Sequence, residues 1–175
     1  MLLQRAFAGF NRLFPTEEAH AHCDIPCGIY DPHAAQIGAH TVIRMNQLIE
    51  ALEAPGGGGP TPPSKADRDV YLNSLARYIT VKEEHAEIVK KEVRIIWGDY
   101  FKPEHLEKYP DLHSIAWNIM KLGAKVRQEV NTQAAQDLLA EVQKFAEIFW
   151  DTKGASTRRQ PSLQTVGGES VVPVA

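Results

Sequence analysis

Four stretches of this chain repeat apolar residues at alternating steps of three and four, and none shows the one-in-two alternation of a strand. The first runs from Pro32 to Leu52, with Ala35, Val42, Met45, Ile49 and Leu52 along one face and Ile37 and Leu48 beside it. The second runs from about Asp67 to Trp97. Leu75, Ile79, Lys82, Ala86, Val89, Val93 and Ile96 form its bundle-like seam, and Lys82 is expected to snorkel its charge outward. The third, about Pro110 to Glu129, carries Leu112, Ile115, Ile119, Leu122 and Val126. The fourth, Thr132 to Thr152, carries Ala135, Leu138, Val142, Phe145 and Phe149. Thr132 can cap it, and the short interval after Val130 makes the last two helices antiparallel. Each apolar face must be covered by another, so the pattern predicts an all-α protein, a four-helix bundle with no sheet.

The segments between these helices are legible too. Pro55 to Pro63 is a glycine and proline run that cannot be helical and connects the first two helices. Gly98 to Pro103 breaks the second helix. Residues 154–175 are rich in Ser, Thr, Gln and Gly, which predicts a disordered tail, and the apolar patch Val171 to Ala175 could pack on a neighbour. A chain of 175 residues with net charge −3 fits one domain and suggests no nucleic-acid or membrane role. No apolar run approaches the roughly 20 residues of a membrane span.

The chemistry concentrates in residues 22–30, H-C-D-I-P-C-G-I-Y. They hold both cysteines of the chain, Cys23 and Cys27, directly after His22. Soft thiolates beside an imidazole make a ligand set for a transition metal. Pro26 fixes its own φ, and the bond before it can be cis in a tight turn. Gly28 can take a positive φ. Asp31-Pro32 then reads as an N-cap followed by proline at the first helical position. A lone disulfide across so short a loop would constrain the unfolded chain little. Cysteine usage therefore fits a reducing compartment, and a cytoplasmic location is expected.

Residues 1–21 carry Arg5 and Arg12, no acid before Glu17, and an amphipathic set of Leu2, Leu3, Phe7, Phe10, Leu13 and Phe14. Ala19-His20-Ala21 is an A-x-A-like cleavage site, but Arg5, Asn11 and Arg12 break the apolar run an export signal needs. The composition suits an organellar transit peptide, and equally an ordinary helix that stays attached.

The nonapeptide resembles the nickel hook of the nickel-containing superoxide dismutases, H-C-x-x-P-C-x-x-Y, with every fixed position present. The likeness extends to W-x-D-Y-F-K-P-x-H from Trp97 to His105, Y-P-D-L-H from Tyr109 and I-F-W-x-T-K ending at Lys153, and is strongest to the cyanobacterial members. It covers roughly His22 to Lys153. The resemblance implies a leader, residues 1–21, removed by a dedicated processing peptidase, a dismutase domain over residues 22–153, and a homohexamer. It implies nickel held by the thiolates of Cys23 and Cys27, the amide nitrogen of Cys23, and the amine and ring of His22. Superoxide would be turned over by Ni(II)/Ni(III) cycling. Tyr30 would cover the open face of the metal and Lys102 would draw the anion in. Asp24, Pro26 and Tyr100 match positions around the site. Where some members place a glutamate and an arginine to orient the histidine ring, Gly38 and His85 stand here, so His85 is the candidate for that role.

Two blander classes compete. His20, His22, His33 and His40 could join the cysteines in a zinc- or copper-binding helical module without redox turnover. A helical interaction protein with no metal would leave the hook unexplained. His105 and His113 are expected in surface or capping roles.

Overall fold

The computed structural model describes residues 28–56 and 62–174. Residues 1–21 and hook residues 22–27 lie outside this range. The helices are α1 (His33–Glu50), α2 (Lys65–Ile95), a short α3 (Pro103–Lys108), α4 (Leu112–Gln128) and α5 (Thr132–Thr152). The four long ones match the four apolar repeats. Their ends are set by local chemistry. Asp31 Oδ1 accepts from His33 N at 2.8 Å and starts α1, with Pro32 as the N-cap. Ser64 caps α2 through Asp67 N. Asn131, not Thr132, caps α5, its Oδ1 accepting from Ala134 N at 2.9 Å. Thr132 instead donates to Glu50 at the end of α1. No helix among the described residues is long and apolar enough to cross a membrane.

The packing is an antiparallel bundle. The start of α1 meets the later part of α2, where Gly38 lies against His85 and Val89. Trp97, just beyond α2, donates to His113 at the start of α4, and Lys108 and Tyr109 reach Asp151 at the end of α5. The seam of α5 is fully buried at Ala135, Leu138, Val142, Phe145 and Phe149. Burying a phenylalanine side chain stabilises by roughly 1.5–3 kcal/mol, so this helix is the spine of the core.

Two parts of the α2 pattern resolve differently from the expectation. Leu75 is only half-buried and Ile79 is exposed. The cause is length: α2 has 31 residues against 18 in α1, so its first half overhangs the bundle. Lys82 does not snorkel. It is buried, and its Nζ donates to Glu129 O at 2.7 Å, satisfying a carbonyl at the end of α4. Burial lowers the pKa of this ammonium, with Glu83 opposing.

The larger correction is the tail. Residues expected to be disordered form an antiparallel hairpin, β1 (Ser156–Pro161) with β2 (Glu169–Val174), paired from Ser156↔Val174 to Pro161↔Glu169. The expectation of no sheet fails here, because composition reports nothing about a partner surface. That surface is a polar notch between α1 and α5. The buried Gln36 carboxamide donates to Val171 O (3.0 Å) and accepts from Val171 N (2.7 Å), as a paired strand would. Gln143 Nε2 donates to Glu169 O at 2.6 Å. His40 Nε2 lies 3.2 Å from Glu169 O and 3.3 Å from Ser170 Oγ. Val171 is buried on the chain's own bundle, not on a neighbour.

Replacing Gln36 with Ala leaves two buried backbone groups of Val171 unpaired and should cost about 2–4 kcal/mol in urea unfolding, with the loss centred on the hairpin. His40 adds a pH dependence. Its Nε2–H serves the Glu169 carbonyl, and its buried Nδ1 has no partner among the described residues. Burial lowers its pKa below the ordinary 6.5, the Glu169 carbonyl opposes this and the charge of His33 adds to the lowering. The folded imidazole stays neutral while the unfolded one takes a proton. Stability is therefore complete above about pH 6.5 and declines as the pH falls below it. Unfolding midpoints at pH 7.5 and 5.5 should differ in the wild type and converge in His40→Gln.

Candidate metal centre

The described chain begins at the root of the hook. Gly28 has φ +71°, a backbone turn that favours glycine, and among the described residues nothing would touch a Cβ there. His22, Cys23, Asp24, Pro26 and Cys27 lie outside the described residues. Tyr30 and Lys102, and Tyr100 and His85, can be located.

Tyr30 is half-buried with its ring 5.6 Å from that of Tyr100. Tyr100 is delivered there by a break in α2. Residues Ile96–Tyr100 form one π-helical turn, closed by Phe101 N donating to Ile96 O at 3.3 Å. Such turns recur at functional sites because they re-aim one side chain. Tyr100 packs on Phe149 at 4.8 Å, and the His105 ring stacks on it at 5.6 Å and 16°. Its hydroxyl lies 2.9 Å from Thr152 Oγ1. Thr152 uses its single hydroxyl hydrogen on Phe149 O, so Tyr100 is the donor. The phenol of Tyr100 is thus tethered to the end of α5.

Lys102 is exposed at the start of α3. Its backbone N donates to His105 Nδ1 and its carbonyl accepts from His105 N, so the capping role expected of His105 is present. A second cation, Lys153, stands closer to the hook. Its Nζ donates to Gly28 O at 3.2 Å and lies 5.3 Å from the ring centres of both Tyr100 and Phe149. The motif ending at Lys153 was visible in the sequence, but its contact with a residue 125 positions away was not.

His85 lies beside Gly38 where α2 crosses α1. Its Nδ1 lies 2.9 Å from Val81 O in its own helix. Seven residues further along α2, about two turns, Glu92 shares a hollow with Ile29, Tyr30, His33, Ile95 and Ile96. Glu92 gave no signal in the sequence beyond a solvated helical charge. Gly38 has a packing explanation. A Cβ there would lie 2.8 Å from Val89 Cγ2 and 3.1 Å from His85 O. The helices approach too closely at this point for a glutamate. His40, considered above as a metal ligand, is committed beneath the hairpin, and no cluster of three His, Cys, Asp or Glu ligands occurs among the described residues.

The class defined here is a small helical bundle whose aromatic end receives Gly28 to Tyr30, the residues that follow the cysteine- and histidine-bearing segment in sequence. The family model for nickel-containing superoxide dismutase matches residues 17–153. The nickel superoxide dismutase of Streptomyces coelicolor is 34% identical over 146 residues, covering 83% of this chain and 98% of the relative. That of Streptomyces seoulensis is 32% identical over the same shares. Among solved structures, a nickel-containing superoxide dismutase in the oxidised ligation state aligns with TM-score 0.64 at 31% identity, over 77% of this chain and all of the other. A native nickel superoxide dismutase aligns with TM-score 0.60 at 32% identity, over 75% and 99%. The chain belongs to the nickel-containing superoxide dismutase family. It is an oxidoreductase acting on superoxide, with nickel as its cofactor.

The close approach at Gly38 predicts the outcome of restoring a side chain there. Gly38→Ala should destabilise the protein by about 1–3 kcal/mol, the usual cost of overpacking, and Gly38→Glu by more, in chemical unfolding of the nickel-free chain.

Proposed function

We propose that nickel is held by the thiolates of Cys23 and Cys27, the amide nitrogen of Cys23, and the amine and imidazole of His22, freed by cleavage after Ala21. The observation that carries this is the docking of the hook root, Gly28 to Tyr30, on Tyr100 and Lys153. The donor set fits the metal, since nitrogen and anionic sulfur in a planar arrangement suit Ni(II). When bound, nickel supplies the one-electron Ni(II)/Ni(III) couple by which two superoxide ions and two protons become oxygen and hydrogen peroxide.

The chain's own residues do the rest. Tyr30, backed by Tyr100, narrows the approach so that only a small anion enters. Lys102 and Lys153 put positive charge on that end of a chain whose net charge is −3, a local attraction for superoxide. Asp24 and Pro26 shape the turn between the thiols. We keep His85, bonded within α2 through Nδ1, as the candidate to orient the ring of His22, with His33 and Glu92, which line a hollow beside Tyr30, as two more. Residues 1–21 are read as a propeptide, removed by a processing peptidase, and the active form as a cytoplasmic homohexamer. The exposed apolar residues Val70, Leu72 and Ile79 on the overhanging part of α2 give that assembly a surface to cover.

Three versions of the chain test the ligand set. A terminal amine of pKa about 8 can bind metal near neutral pH, whereas a peptide nitrogen is a far weaker ligand. The full-length chain and one starting at Ala21 should bind nickel poorly and show almost no dismutase activity, and one starting at His22 should gain both. Equal activity in all three would remove the amine from the site. Cys23→Ser or Cys27→Ser in the processed chain should abolish the low-spin nickel spectrum and the activity together, because serine stays protonated at neutral pH. Sedimentation of the loaded protein at the monomer mass would overturn the hexamer.

A further inference from the structure

A lysine just past the end of a helix ordinarily serves the helix dipole or solvates the last carbonyls. Lys153, the C-cap of α5, does more. Its ammonium reaches across to the carbonyl of Gly28, the residue that follows the second thiol of the hook. Its position is over-determined. The Nζ sits over the faces of Tyr100 and Phe149 at 5.3 Å each, within the range at which a cation is attracted to a ring. Phe149 is fully buried, so one wall of this cradle is the bundle core itself. The preceding residue, Thr152, holds the Tyr100 hydroxyl. Gly154, with φ +75°, turns the chain away immediately afterwards, towards the hairpin. The segment Thr152–Gly154 thus ties together the aromatic floor of the site and the root of the hook.

We propose that Lys153 is a positioning residue of the dismutase, an electrostatic latch that fixes the root of the hook to the bundle before any metal is present. Its charge-assisted bond to Gly28 O anchors the chain one residue beyond Cys27. It also keeps Tyr30 registered against Tyr100. This role deepens the assignment of the hook as the nickel site and rests on it for its consequence in catalysis, but not for the latch itself.

The latch is read without nickel. In the nickel-free full chain, Lys153→Met keeps the aliphatic stem and removes the charge and the donor. Backbone amide NMR order parameters at Ile29, Tyr30 and Asp31 should fall towards the flexible range, below about 0.6, while those in the interiors of α2 and α5 stay unchanged. Lys153→Arg, which restores a donor and a cation, should recover most of the order. In the processed, nickel-loaded enzyme, Lys153→Met should lower kcat/KM and broaden the nickel paramagnetic spectrum, with Lys153→Arg recovering both. Order parameters at residues 29–31 unchanged from wild type in Lys153→Met overturn the latch, and so does an equal fall throughout the bundle. Unchanged kcat/KM and spectrum in the face of lowered order overturns its role in positioning the site. Inactivity of the wild-type processed enzyme would instead strike the hook assignment, which the order-parameter measurement does not depend on.

Discussion

The contact between Phe149 and Tyr100 joins the two halves of this molecule. Phe149 closes the buried seam of α5, and its ring lies 4.8 Å from that of Tyr100. Everything at the functional end leans on this pair. Tyr30 rests on Tyr100, His105 stacks on it, and Lys153 sits over both rings of the pair. Phe101 repeats the device one residue later, edge-on to Phe145 at 5.5 Å. A site built on the end of a close-packed core inherits its rigidity, because interiors at crystal-like density leave such rings few alternative positions.

The π turn at Ile96–Tyr100 makes this possible. A regular helix continuing through these residues would carry Tyr100 round by a further residue's rotation and leave Phe101 without its partner. The extra residue costs one ordinary helical hydrogen bond, and the aromatic packing offsets it. The chain then returns through α3, where the mutual bonds of Lys102 and His105 stop the short helix from fraying at the site.

The hairpin follows a different logic. It lies beyond residue 153, where the family match ends, yet it is bonded to buried polar groups of the bundle. Gln36, His40 and Gln143 would be poor choices for an apolar core. They are explained by the strand they receive: Gln36 pairs with both backbone groups of buried Val171, and His40 and Gln143 both meet the Glu169 carbonyl. Asn46 is the exception, a fully buried side chain with no hydrogen-bond partner among the described residues and no evident structural reason.

The four helices and the hook were written in local pattern. Period and capping depend on neighbours within a few residues, so the buried seam of α5 could be read to the residue, and the thiols and histidine announced a metal by their spacing. Tertiary structure decided what depends on a distant partner. Composition could not reveal the hairpin, because the polar notch that orders it is split between Gln36 and His40 on one helix and Gln143 on another. Lys82 read as a snorkelling charge until the end of α4 supplied a carbonyl for it. Gly38 read as a missing ligand-orienting residue until the distance to Val89 showed that no side chain fits. Lys153 was only the last residue of a motif until folding brought Gly28 within 3.2 Å of its ammonium. In each case the sequence determined the group, and only the fold determined what the group faces.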